Sequence, residues 1–158
     1  NPNNEVNAAA VVRFDTVSVR QSPASQWSAT ASLQNFFLQM QEVVVHLRFG
    51  YRYTNGNLAY VDQAATTVSG TQYLVSAEFS PGTCQAYYNG TLSTQTNTVN
   101  ISGVNPRNNS IPLRIGGLSS NTTQLVRGYI QEYIHWSNST AFDPEDISDD
   151  INSYYSAF

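Results

Sequence analysis

A period-two alternation of apolar and polar residues, cut at short intervals by turn dipeptides, runs through this chain from Val11 to Trp136 and constrains its fold more than any other feature. Alternate residues of a strand share a face, so this pattern fits strands with one buried side and does not fit helices. Repeated many times with short connections, it predicts an all-β, antiparallel sandwich or barrel. Val11-Val12-Arg13-Phe14 and Val17-Ser18-Val19 read as early strands, and Gln21 to Ser32, with Pro23 and clustered serines, reads as a loop. In Asn35 to Phe49 the preferred reading is two strands, Phe36-Phe37-Leu38 and Val43-Val44-Val45, with a turn at Gln39 to Glu42. A helix over Leu33 to Gln41 is the competing reading.

The strongest local signal is Thr54-Asn55-Gly56-Asn57 between Tyr51-Arg52-Tyr53 and Leu58-Ala59-Tyr60-Val61, because Asn-Gly adopts the positive φ angles of a tight hairpin turn. Tyr73 to Phe79, ended by Ser80-Pro81-Gly82, and Gln85 to Tyr88, ended by Asn89-Gly90, follow as strands. Pro112-Leu113-Arg114-Ile115 precedes Gly116-Gly117, and Gly128 opens a long strand from Tyr129 to Trp136. The character then changes. Asp143 can cap a helix, Pro144 suits its first position, Glu145 and Asp146 favour its N-terminal end, and Ile147, Ile151, Tyr154, Tyr155 and Phe158 recur near helical spacing. The expected organisation is one sandwich domain over residues 1–158, with 143–158 as a docking helix.

All seven cations are arginine, set against eleven acids for a net charge of −4. No basic cluster exists to neutralise a phosphate backbone, which argues against nucleic acid, and the same balance disfavours anionic membranes. No apolar run reaches the roughly 20 residues that span a bilayer. The opening Asn1-Pro2-Asn3-Asn4 lacks the regions of a signal peptide and an initiator Met, which suggests a processed chain or a fragment of a longer one. With charged residues at only 11%, Ser, Thr, Asn and Gln must solvate the surface, as suits a virion or extracellular protein. Cys84 is the only cysteine, so no internal disulfide and no multi-cysteine zinc site can form.

Four elements in order carry a resemblance: Tyr73-Leu74-Val75-Ser76-Ala77-Glu78-Phe79, then Ala86-Tyr87-Tyr88-Asn89-Gly90, then Leu113-Arg114-Ile115-Gly116-Gly117, then Gly128-Tyr129-Ile130-Gln131-Glu132-Tyr133-Ile134. From Tyr73 to Phe158 the chain resembles the concanavalin A-like lectin/glucanase superfamily, in particular laminin G-like jelly-roll domains. Its last stretch is also similar to domains of phage and viral structural proteins. The resemblance implies a jelly-roll sandwich with a short C-terminal helix, in which Asn89, Gly90, Gly116, Gly117, Gly128 and Glu132 have structural roles.

The glucanase branch works with paired carboxylates on one strand, whereas here Glu78 and Glu132 are isolated and the acids from Asp143 to Asp150 belong to a helix start. His46 and His135 lie on different strands and no Gly-x-Ser-x-Gly elbow occurs, so neither a triad nor a metal site is expected. Asp62 is the only acid between Glu42 and Glu78, which leaves no multi-carboxylate calcium loop. No cofactor is expected. Sequons stand at Asn89, Asn100, Asn108, Asn121 and Asn138, in a composition that supplies several by chance.

Strict alternation puts Glu132 with Ile130, Ile134 and Trp136 on the apolar face, needing a partner for its carboxylate. Tyr129, Gln131, Tyr133 and His135 then share the opposite face, which suits sugar stacking or a protein interface, and Tyr51 and Tyr53 could extend it. The expected function is non-catalytic binding or assembly: a virion decoration, fibre or capsid-associated module, with other virion or surface proteins, or a second copy, as partners. A carbohydrate-binding, lectin-like adhesin contacting cell-surface glycans is the alternative, and a glycoside hydrolase the weaker one.

Overall fold

The computed structural model describes residues 5–118, 124–136 and 144–156. Among these residues ten strands form two five-stranded antiparallel sheets. Strands β1 (Val6–Phe14), β2 (Gln21–Gln26), β3 (Phe36–Met40), β4 (Leu47–Arg52), β5 (Leu58–Asp62), β6 (Gln72–Ser80), β7 (Thr83–Tyr88), β8 (Thr91–Thr94), β9 (Arg114–Ile115) and β10 (Gly128–Trp136) precede helix α1 (Pro144–Tyr155). Sheet A has the order β10-β1-β6-β7-β8 and sheet B the order β5-β4-β3-β2-β9. The expected all-β sandwich with a C-terminal helix is what forms.

The inward residues of both sheets make one core, with Val12, Phe14, Val75, Ala77 and Phe79 from sheet A meeting Phe36, Leu38, Met40, Phe49 and Val61 from sheet B. Burying each large apolar side chain contributes roughly 1.5–3 kcal/mol. Tyr88 crosses between the sheets: its hydroxyl donates to the Val61 carbonyl at 2.7 Å and accepts the Phe49 N–H at 3.2 Å. Cys84 is a buried core thiol whose pKa burial pushes up to about 12, so it is not a nucleophile at neutral pH.

A second, smaller apolar cluster lies on the outer side of sheet A. There Ile151, Ile147 and Tyr155 of α1 cover Ala9, Val11 and Leu74. Tyr154, expected on the docking face, is instead 81% exposed. Asp143 and Phe158, expected as cap and terminal anchor, lie outside the described residues.

Several local expectations are corrected. Val17–Val19 is irregular chain, whereas the expected loop Gln21–Ser32 begins with β2. Strand β2 is polar and nevertheless buried because partners in the segment before β10 satisfy it. Ser25 Oγ donates to the Gly117 carbonyl at 3.1 Å, and Gln21 Oε1 accepts the Arg127 N–H at 2.5 Å. Pro23 sits at a register shift between Gln21 and Ala24, where its missing N–H disturbs no regular ladder. The competing helix over Leu33–Gln41 is a short 3-10 turn, Ala31–Leu33, followed by β3.

The expected strand Val43–Val45 is a connection in which Val43 and Val44 are 85% and 63% exposed. The following strand starts at Leu47, which pairs with Met40. The Asn-Gly hairpin forms as expected, with Arg52 opposite Leu58 and Gly56 at φ 90°. Asn89 and Gly90, at φ 48° and 73°, turn β7 into β8, a strand not anticipated. The open edge of β5 is covered by the segment after β8: the Tyr60 and Asp62 N–H groups donate to Asn97 Oδ1 and Thr96 Oγ1.

One irregularity decides which side chains are accessible. Between Val11 and Val12 the pairing of β1 with β10 slips, so Val11 faces Glu132 while Val12 faces Ile130, and Gln131 is the extra residue of a β-bulge. Beyond it the alternation inverts. Tyr133 joins Ile130 on the main core, and Ile134 and Trp136 pass to the outer cluster beneath α1.

Candidate functional site

The outer face of sheet B is built by β4 and its neighbours. Leu47, Phe49, Tyr51 and Tyr53 point into the core, so the alternate residues Arg48, Gly50 and Arg52 point outward. Phe37 of β3 and Tyr60 of β5 flank Gly50 in register. Gly50 leaves room for the Phe37 ring, because a Cβ there would stand 2.9 Å from Phe37 Cε1 and nearer still to Cζ. Trp27, just past β2, meets Phe37 edge-on at 5.0 Å and 84°. The Arg52 guanidinium lies 5.5 Å from the Trp27 ring centre. On the other flank the Arg48 guanidinium stacks 3.9 Å over Tyr60. The face is therefore a run of aromatic rings bordered by guanidinium groups.

Its polar groups are fixed by one another. Asp62 accepts from Arg48 Nε and Nη2 at 2.6 and 2.9 Å, a bidentate pair, and His46 Nε2 stands 3.2 Å from the same carboxylate. Burial alone would lower the Arg48 pKa, but Asp62 outweighs it and the net direction is upward. Burial also holds His46 below its ordinary value, opposed by Asp62. Beside them an amide chain runs from Gln41 to Gln39 to Gln124 at 3.0 Å each, with Ser22 on Gln124 at 3.2 Å. Sequence reasoning passed over Trp27, Phe37, Arg48, Arg52, Tyr60 and Asp62. The available signal was the β4 alternation, which puts its arginines, not its tyrosines, on the surface.

The residues expected to bind fall in three places. Tyr51 and Tyr53 are core residues, 3% and 0% exposed. Their hydroxyls donate to the Arg107 carbonyl at 2.8 Å and the Thr83 carbonyl at 2.8 Å, so neither ring is offered to a ligand. Tyr133 and His135 do not share a face with Tyr129, because the bulge turns them toward Phe36. Tyr133 stacks on that ring at 6.4 Å and 7°, His135 lies 5.1 Å from it, and the Tyr133 hydroxyl is 3.0 Å from His135 Nδ1. His135 is itself exposed, and packing against the Phe36 and Tyr133 rings desolvates part of its imidazole and lowers its pKa.

Tyr129 and Gln131 do stay on the outside. With Arg13 and Gln72 they line an open cavity of about 300 Å³ on sheet A, where the Arg13 guanidinium lies 4.3 Å over the Tyr129 ring. Glu132 shares its face with Ile134 and Trp136, as expected, but not with Ile130. It lies beside α1, where burial and then the Glu132 carboxylate, hydrogen-bonded to the Tyr155 hydroxyl, raise the Tyr155 pKa.

Of the expected structural residues, Asn89 Oδ1 accepts the Leu74 N–H at 2.8 Å, and Gly116, at φ 83°, donates its N–H to Pro23 at 2.8 Å. Gly117 faces Leu125, 3.1 Å from where its Cβ would be. Gly128 has no room for a side chain, since a Cβ would overlap the Arg13 carbonyl oxygen. Among the described residues no group of three His, Cys, Asp or Glu side chains could hold a metal ion. Glu78 bonds Gln85 at 3.1 Å, and its register position lies about 16 Å from that of Glu132 on ordinary strand spacings.

No protein-family model matches the chain, and neither does any curated protein sequence. Solved structures do match. The CBM40 domain of a Ruminococcus gnavus IT-sialidase, bound to α2,3-sialyllactose, superposes with a TM-score of 0.64 at 12% identity, covering 91% of this chain and 82% of that one. A heptameric SAP-like pentraxin from Limulus polyphemus gives 0.61 at 16% identity, covering 92% and 68%. Domains LG4-5 of the mouse laminin α1 chain give 0.61 at 17% identity over 85% of this chain, which spans only 36% of that structure. At such identities the likeness is one of fold, and the fold is the concanavalin A-like jelly roll.

Proposed function

We propose that this jelly roll is a non-catalytic carbohydrate-binding module whose ligand lies across the outer face of sheet B. The observation that carries the reading is the pair of half-buried rings Trp27 and Tyr60, held on either side of the buried Phe37 ring that fills the space over side-chain-free Gly50, and bordered by fixed polar groups. Sugar rings present C–H faces that pack on aromatic surfaces, while their hydroxyls need oriented donors and acceptors such as Arg48 and Asp62. The sialyllactose-bound CBM40 domain of the same fold supports it.

Catalysis is the weaker reading. Glycosidases hold two carboxyl groups roughly 5–9.5 Å apart. Here Asp62 is tied to Arg48 on one sheet, while Glu78 and Glu132 lie well separated on the other.

The module works at a virion or other extracellular surface in this reading. Its support is the lysine-free, Ser-, Thr- and Asn-rich composition and the resemblance of its C-terminal stretch to phage and viral modules. Glycan-array binding by the intact chain, lost in Trp27→Ala without loss of folding, is the expected result. Undiminished binding in that variant would move the ligand elsewhere.

A further inference from the structure

The two outward arginines of β4 are unequal. Arg48 presents its Nε–Nη2 edge to Asp62 and is neutralised there. Arg52, four residues on along the same face, spends Nη1 on the Gly56 carbonyl at 2.7 Å, and among the described residues its buried Nε–H has no acceptor. Among the described residues no carboxylate lies within ion-pairing distance of Arg52, although the chain is acidic overall.

A second guanidinium stands close by. Arg107 donates its backbone N–H to the Arg52 carbonyl at 2.9 Å, and its Nη2 reaches within 3.9 Å of where a Gly56 Cβ would sit. Two cations gathered at the hairpin turn, one of them without a counter-charge, repel each other unless an anion joins them. Trp27, against which Arg52 lies, closes the other side.

We infer that the saccharide bound by this face carries a carboxylate, and that Arg52 receives it beside the Trp27 ring. The inference rests on the carbohydrate reading above and narrows it to acidic sugars. In Arg52 this Nε–Nη2 edge, the one with which Arg48 holds Asp62, carries a buried Nε–H without an acceptor, and its two parallel N–H groups match the planar carboxylate that would satisfy it. A charge-assisted hydrogen bond of this kind is worth roughly 10- to 100-fold in affinity. It weakens with added salt.

The test is equilibrium binding to glycans matched in backbone and differing in one group: lactose, α2,3-sialyllactose and sulfated lactose. The intact chain should prefer sialyllactose to lactose by roughly 10- to 100-fold. Arg52→Gln should erase that preference, and Arg52→Lys, which keeps the charge but loses the fork, should erase most of it. Unchanged thermal midpoints establish that both variants are folded.

Equal binding of lactose and sialyllactose, both lost in Trp27→Ala, would overturn the inference and leave the carbohydrate reading standing. Binding of none of the three would overturn both. Sulfated lactose bound as tightly as sialyllactose would overturn the choice of a carboxylate, and a preference that survives in folded Arg52→Gln would overturn the role of Arg52.

Discussion

Replacing Gly50 by Ala tests how the aromatic face is built, because two effects of opposite sign compete at that position. The backbone of Gly50 is not among the glycines at positive φ, so a side chain meets no torsional obstacle. Such a Gly→Ala change ordinarily stabilises a protein by about 0.4–1 kcal/mol by restricting the unfolded chain. Here the new Cβ would stand 2.9 Å from Phe37 Cε1 and closer to Cζ, inside contact distance. Phe37 is only 5% exposed and meets Trp27 at 5.0 Å, so its ring has little space to withdraw. Overpacking of this kind costs about 1–3 kcal/mol, and the net expectation is a loss of roughly 1–2 kcal/mol.

Urea denaturation followed by tryptophan fluorescence reads the loss, and the folded-state emission should shift as Trp27 is displaced. Adding Phe37→Leu should relieve the clash, giving a favourable coupling of about 0.5–3 kcal/mol in a double-mutant cycle. A Gly50→Ala chain as stable as the parent, or a cycle without coupling, would refute the packing argument and with it the account of the face.

Two further predictions concern the β10 edge and pH. Gly128→Ala places a Cβ against the Arg13 carbonyl oxygen and 2.9 Å from Phe14 Cα, both backbone atoms of the paired strand. It should cost about 3 kcal/mol or more, and a loss under about 1 kcal/mol in urea denaturation would contradict the geometry. Desolvation lowers the pKa of both His46 and His135, so between those lowered values and the unfolded value near 6.5 the unfolded chain binds more protons than the folded one. This contribution to stability is complete above pH 6.5 and is lost as pH falls through the folded values. The urea midpoint should therefore drop from pH 7.5 to 5.5, and the drop should shrink in His135→Gln; a flat profile would show that neither imidazole is held neutral.

Much of the architecture is local and therefore legible in the residues alone. Strands β4 to β7 declare themselves through alternation and through the Asn-Gly and Pro-Gly turns, whose φ requirements depend on a few neighbouring residues. The apolar spacing of Ile147, Ile151 and Tyr155 likewise contains the docking face of α1. Strand β2 was invisible because its burial depends on distant partners. Gln21, Ser22 and Ser25 look like loop residues until Gln124, Arg127 and Gly117 arrive from about a hundred positions away. The valines at 43 to 45 err the other way, for β-propensity there is overruled by the closure of the hairpin from Met40 to Leu47.

The proposed binding face turned on the same distinction. Alternation in β4, with Leu47 and Phe49 in phase with Tyr51 and Tyr53, already put the tyrosines on the core side and Arg48 and Arg52 outside, whereas only the pairing of the neighbouring strands brings Phe37 and Tyr60 beside them. In β10 even the partition failed at Gln131. A bulge is set by how two strands twist against each other, here β10 on β1, so which of Tyr129, Tyr133 and His135 meets solvent was decided by the tertiary structure alone.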